Sequence, residues 1–207
     1  RMHWAVMVQS LSSGAVLYKR NASKLMMPAS NMKVVTLAAA AERLGWDHRY
    51  TTSLATTADV DASGTLGGDL IIVGSGDPTI NSRGGSPTRV FEEWSSRLKA
   101  AGIRRIDGRI IADASAFDQE GLGAGWAWDY LGDGYAAPVS ALQYNEDVAE
   151  VVIRPGAAAG TPASVEFRPI ECGLFADAQV ATQPAGEAEV EIQRLPRSSR
   201  VLVRGTI

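Results

Sequence analysis

Pro28-Ala29-Ser30-Asn31-Met32-Lys33-Val34-Val35-Thr36, continued by Leu37-Ala38-Ala39-Ala40-Ala41-Glu42-Arg43-Leu44-Gly45, is the stretch that decides the fold. From Asn31 to Leu44 it is rich in Ala, Leu and Val and contains neither Gly nor Pro. Gly45 supplies a stop, because glycine readily takes the left-handed conformation that ends helices. The pattern predicts a largely buried helix of about four turns. Ser30 stands at its start, where an N-cap or first-turn residue is expected.

Within this helix, Ser30 and Lys33 form a Ser-x-x-Lys tetrapeptide. Positions i and i+3 share a helix face, so the lysine amine can lie beside the serine hydroxyl. A serine at a helix N-terminus also meets the positive end of the helix dipole, which favours a developing alkoxide. A lysine withdrawn from water loses its proton more readily and can serve that serine as base. The chain offers its own comparison in Ser96-Arg97-Leu98-Lys99. That serine falls in the middle of a second predicted helix, where a solvated hydroxyl and a snorkelling lysine are the simpler reading. Placement, not spacing, sets the two apart.

Upstream, Trp4 to Gln9 and Ala15 to Tyr18 are short apolar runs separated by Ser12-Ser13-Gly14, the pattern of a β-hairpin. Downstream, Tyr50 to Ala55 and Leu70 to Val73 read as strands. Thr88 to Ala101 reads as a helix closed by Gly102, with apolar Val90, Phe91, Trp94, Leu98 and Ala101 at helical spacing. Ile103 to Ala112 reads as strand, turn and strand, completing an α/β unit. From Val148 onward only strands are expected, at Val148 to Ile153, Ser164 to Phe167, Val190 to Ile192 and Val201 to Val203. Gly74-Ser75-Gly76-Asp77-Pro78 follows a strand but lacks a third glycine and an immediate helix, so it reads as a tight turn rather than a nucleotide loop. Trp126, Trp128, Tyr130 and Tyr135 cluster with Asp129 and Asp133, either as a sugar or peptide site or as a loop packed over the core.

Composition narrows the function classes. The chain has 207 residues, 45% hydrophobic and 21% charged, an ordinary globular balance. With 20 basic and 23 acidic residues it offers no broad attraction to nucleic acid or anionic lipid. The longest apolar run, Val34 to Ala41, is far short of the ~20 residues of a membrane-spanning helix. Arg1-Met2-His3-Trp4 runs straight into the first strand without a secretion leader, as a processed or truncated start would. A single cysteine, Cys172, leaves no partner for an internal disulfide and no Cys-based zinc site. His3 and His48 lie far apart in sequence, which leaves few options for metal or Ser-His-Asp chemistry. No cofactor or metal is expected.

The nucleophile segment is one of a series. Gly68-Asp69-Leu70, Gly74-Ser75-Gly76-Asp77-Pro78, Gly102-Ile103 with Gly108, Asp113 to Phe117, Trp126-Ala127-Trp128-Asp129 and Pro138-Val139-Ser140-Ala141-Leu142 follow it in order. Together they resemble the class C low-molecular-mass penicillin-binding proteins, the D-alanyl-D-alanine carboxypeptidase/endopeptidase family, over nearly the whole chain. The resemblance implies an α/β protein. Residues 1–54 would be the N-terminal part of a penicillin-binding, serine β-lactamase-like transpeptidase fold (hairpin plus nucleophile helix). Residues 55–147 would be an inserted α/β domain and residues 148–207 a mostly β inserted domain.

It further implies an extracytoplasmic serine hydrolase of peptidoglycan stem peptides, in the periplasm, cell envelope or secreted. Ser30 would be the nucleophile, Lys33 the general base, and β-lactams covalent inhibitors. Asp113, with Phe117, is where the family's substrate-reaching aspartate of the inserted domain would fall. Two further family motifs, Ser-x-Asn and Lys-Thr-Gly, occur nowhere in the sequence. The 207 residues are therefore expected to be inactive alone and to need a C-terminal segment of the same protein. A non-catalytic cell-wall binding or scaffold module of the same descent is the alternative. A compact serine β-lactamase fits poorly, because the insertions are too long.

Overall fold

A computed structural model describes residues 3–86, 88–170 and 172–207; Arg1 and Met2 of the predicted start lie outside the described residues. The chain divides into two compact units, Arg1–Arg49 and Tyr50–Ile207.

In the first unit, β1 (Val6–Gln9) and β2 (Val16–Arg20) pair antiparallel, Val8 opposite Tyr18. The connection closes through the Gly14 N–H donating to the Ser10 carbonyl at 2.9 Å, with Gly14 at φ 71. A 3₁₀ turn, Ala29–Asn31, leads into α1 (Met32–Leu44), which Gly45 ends at φ 82. The expected burial of this helix is overturned, since no residue of α1 is buried. Val34 is 70% exposed and Leu37 68%. The reason is architectural: a single two-stranded hairpin is too small a surface to close over the apolar face of a four-turn helix.

The second unit opens with β3 (Ser53–Thr56), β4 (Thr65–Leu66) and β5 (Leu70–Val73), then α2 (Arg89–Ala100), β6 (Arg105–Ile106) and β7 (Ile110–Asp113). The sheet order is β3-β5-β7, with β3 antiparallel and β7 parallel to β5. Parallel neighbours need a long crossover, and α2 lies within it. Gly102, at φ 86, closes the crossover helix, and Ile103 joins Leu66 and Leu70 in a buried core against Leu54, Leu98 and Ile106.

The remainder is β8 (Glu150–Arg154), β9 (Ser164–Arg168), β10 (Phe175–Ala181), β11 (Glu189–Arg194) and β12 (Arg200–Thr206). β8 and β9 form a hairpin, and the other three form a sheet in the order β10-β12-β11. Val201 and Val203, two apart on β12, point to one face and bury with Phe167 and Val180. The apolar pattern of the sequence gives no sign of β10. Its sequence FADAQVA has no clean apolar alternation, and parallel pairing with β12 supplies the ladder that makes it a strand.

Candidate functional site

Ser30 lies in the 3₁₀ turn ahead of α1, and Asn31 takes the N-cap position. The serine is thus displaced from the N-cap position. Instead Lys33 Nζ donates to Ser30 Oγ at 3.0 Å. Because the turn runs straight into the helix, these two side chains remain one turn apart on one face. Ala29, immediately before the serine, holds φ 43. A non-glycine residue in the left-handed region costs on the order of 1–3 kcal/mol, and such strain concentrates at functional positions.

Ser96 behaves as its placement in mid-helix predicts. Its hydroxyl donates back to the Glu92 carbonyl at 2.9 Å, four residues earlier. The same tetrapeptide spacing therefore yields an amine–hydroxyl pair at one site and a backbone-bonded serine at the other.

In the second unit, β7 ends at Asp113. Its carboxylate accepts the Ser115 N–H at 2.9 Å. Hydrogen bonding from the Ser115 side chain, then from its backbone, holds Asp113 below the usual carboxylate range. Phe117 lies against Gly76: a Cβ at Gly76 would stand 2.5 Å from the ring, and φ there is 96. The ring therefore needs the missing side chain, and the left-handed backbone is a second, separate reason for glycine there. Asp113, Ser115, Phe117, Val139 and Ser140 line an open hollow of about 620 Å³.

The Gly74–Pro78 segment forms a turn, and no helix starts from it. The Gly74 N–H donates to the Asp113 carbonyl at 2.9 Å, and the Gly76 N–H to the Ala141 carbonyl at 2.6 Å. Asp77 is occupied in accepting the Thr79 N–H and hydroxyl at 2.9 and 2.7 Å.

Two ion pairs of the second unit join residues far apart in the sequence. Arg109 reaches back 40 residues to Asp69, giving its side chain at 2.7 Å and its N–H at 2.8 Å. Those bonds, led by the guanidinium, hold Asp69 below the usual carboxylate range. The guanidinium of Arg83 grips the Glu146 carboxylate across 63 residues. Arg109 lies near β7, and an Asp beside a strand start could have hinted at its partner; nothing local signals the Arg83 pair. Among the described residues no group of three or more His, Cys, Asp or Glu side chains gathers as a metal site. No helix among them is long and apolar enough to cross a membrane.

Residues 1–207 match the model of the D-Ala-D-Ala carboxypeptidase 3 (S13) family. The chain is 32% identical over 209 residues to a D-alanyl-D-alanine carboxypeptidase of Actinomadura sp. (strain R39), covering 98% of this chain and 37% of that protein. It is 30% identical over 139 residues to the D-alanyl-D-alanine carboxypeptidase DacB of Haemophilus influenzae, covering 67% and 28%. The crystal structure of penicillin binding protein 4 from Haemophilus influenzae superposes with a TM-score of 0.77 at 22% identity, over 98% of this chain and 44% of that one. The same protein complexed with a β-lactam gives 0.69 at 20% identity, over 98% and 41%. At these identities the superpositions establish the shared α/β fold. The chain spans less than half the length of each of these proteins.

Proposed function

Because this chain belongs to the D-Ala-D-Ala carboxypeptidase 3 (S13) family, we propose that it carries the nucleophile of an extracytoplasmic serine D,D-carboxypeptidase/endopeptidase. Its substrates are the D-Ala-D-Ala ends, or D-amino-acid cross-links, of peptidoglycan stem peptides. The observation that carries the reading is the 3.0 Å contact between Lys33 Nζ and Ser30 Oγ. In its neutral form the Lys33 amine takes the Ser30 proton as Oγ attacks the scissile carbonyl carbon. The tetrahedral intermediate collapses, the carbon–nitrogen bond breaks, and D-Ala leaves with that proton on its amine. Water then cleaves the Ser30 ester and restores the hydroxyl. With a β-lactam the broken amide stays tethered to the acyl group, so the ester on Ser30 persists.

Asp113, with Phe117, contacts the stem peptide from the hollow in the second unit. The N-terminal part of the catalytic domain lies in the first unit, and the inserted α/β and mostly β parts lie in the second. The remaining catalytic groups come from polypeptide beyond these residues. Three features support that view: the bare apolar face of α1, the absence of Ser-x-Asn and Lys-Thr-Gly, and the fraction of the relatives covered. Losing a single oxyanion donor costs ~10²–10³ in rate, so the 207 residues alone should release no D-Ala at a measurable rate.

Fluorescent penicillin labelling of the full-length protein tests the assignment. Labelling should disappear in Ser30→Ala and persist in Ser96→Ala. Labelling that survives Ser30→Ala would remove the nucleophile from this chain.

A further inference from the structure

Beside α2 the second unit keeps a largely apolar hollow of about 790 Å³. Phe91, Leu142, Tyr144, Val148 and Leu174 are among its walls, and the Phe91 and Tyr144 rings lie 5.3 Å apart, inclined at 31°. Its size is that of a small-molecule site, far beyond an ordinary packing void. Two charged side chains interrupt the apolar lining, Asp147 and Arg194.

The turn that carries Asp147 is built at a cost. Asn145, Glu146 and Asp147 hold φ 52, 61 and 53, three left-handed residues in succession without a glycine. Asparagine and aspartate tolerate that region, whereas glutamate is strained there. Bonds on several sides hold the turn. The Asn145 N–H donates to the Ile80 carbonyl at 2.8 Å, and its side-chain amide donates to the Val148 carbonyl at 3.2 Å. The Arg83 guanidinium holds the Glu146 carboxylate.

Asp147 is left half-buried in the wall of the hollow. Its carboxylate accepts the Tyr144 N–H at 3.4 Å and enters no ion pair among the described residues. Burial pushes this carboxyl above the usual range, against that one backbone bond. Arg194, the last residue of β11, is half-buried too. Its Nε donates to the Ser198 carbonyl at 3.2 Å, and its two terminal nitrogens have no acceptor among the described residues. Both side chains also line a second hollow of about 100 Å³, yet no ion pair joins them.

Opposite charges in apolar surroundings are costly while each lacks a partner. An anion would satisfy Arg194 and be repelled by Asp147, and a cation would do the reverse. A molecule with both charges on an apolar body answers both groups and the apolar walls. Amino acids and short peptides with free ends have that chemistry. The guanidinium fork matches a carboxylate, and the Asp147 carboxylate can accept the hydrogens of an ammonium.

We propose that this hollow binds an apolar zwitterion, with Arg194 holding its carboxylate and Asp147 accepting from its ammonium. The site is separate from Ser30 and does not rest on the peptidoglycan reading above.

The test is calorimetric titration of the full-length protein with leucine, with trileucine, and with trileucine acetylated and amidated at its ends. At least one free zwitterion should bind, and the capped peptide should bind at least about tenfold more weakly. Binding of leucine alone assigns the site to amino acids, and binding of trileucine assigns it to peptides. Arg194→Met and Asp147→Asn, which remove one charge each, should each weaken that binding about tenfold or more. Both should keep the wild-type thermal midpoint, and Ser30→Ala should bind as wild type does. The site is overturned if neither zwitterion binds, if the capped peptide binds equally, or if fewer than both charge substitutions weaken binding. Loss of binding in Ser30→Ala overturns it too. The capped peptide is compared on wild-type protein, so it decides even where a variant fails to fold. Penicillin labelling is scored separately, so a failed site leaves the Ser30 assignment standing, and the reverse.

Discussion

One unit of the chain holds a serine–lysine pair, and the other holds the buried cores. The first carries the serine, its lysine partner and a strained residue beside them, yet buries no residue of α1. The second has two buried clusters, one around Leu66 and one around Val203, and no paired Ser-x-x-Lys. A serine–lysine contact needs only two side chains one turn apart, and a single helical turn supplies them locally. A core needs more surface than one two-stranded hairpin offers a single helix. A serine–lysine contact can therefore form in a unit that buries no residue of its helix.

Substituting the two lysines would strain this contrast hardest. Lys33→Ala in the full-length protein should slow acylation by a β-lactam by ~10²–10⁴, the range for a lost general base. Lys99→Ala should leave the rate constant as it was. Stopped-flow or gel-based acylation kinetics measure both, and equal effects would erase the distinction between the units.

Core truncation comes next in size. In urea denaturation of the 207-residue chain, Leu66→Ala should cost about 2–5 kcal/mol, since the side chain is fully buried. Leu37→Ala on the bare face of α1 should change stability by no more than about 0.5 kcal/mol. A large loss at Leu37 would mean that α1 is covered after all.

Gly76→Ala probes the hollow of the second unit. A methyl group there meets Phe117 and must hold φ 96, for a cost of about 1–3 kcal/mol. Thermal denaturation reads the cost, and shortening the ring in the double variant with Phe117→Leu should return part of it.

The smallest effect is a pH dependence. Asp69 titrates below its unfolded value because Arg109 bonds its charged form, so the unfolded chain binds the proton more readily. The stabilisation is complete above the ordinary carboxylate range, near pH ~4, and fades as pH falls through the lowered folded value. Asp69→Asn should thus lower the thermal midpoint at pH 7 and converge with wild type in acid. A constant gap down to pH 2 would rule out this ion pair as the cause.

Much of the architecture is legible in local pattern. Apolar runs around Ser12-Ser13-Gly14 mark the hairpin, and Gly45 and Gly102 mark helix ends where the backbone turns left-handed. Periodicity cannot say whether an apolar face finds a partner, which is why α1 reads as buried and is exposed. Nor can it find β10, whose alternating Ala, Asp and Gln become a strand only beside β12.

By itself the sequence determined the spacing of Ser30 and Lys33, the order of elements and the absence of a second thiol, because these depend on neighbours within a few residues. Only the tertiary structure decided that Ser30 sits in a 3₁₀ turn and receives the lysine's hydrogen bond, that Ser96 turns back to its own helix, and that Asp69 is held by Arg109. It likewise decided that Trp128 and Tyr135 face solvent while Leu131 is buried. The Asp69–Arg109 bond and the exposure of the rings depend on which distant segments meet, whereas the two serine contacts depend on where along its helix each serine falls.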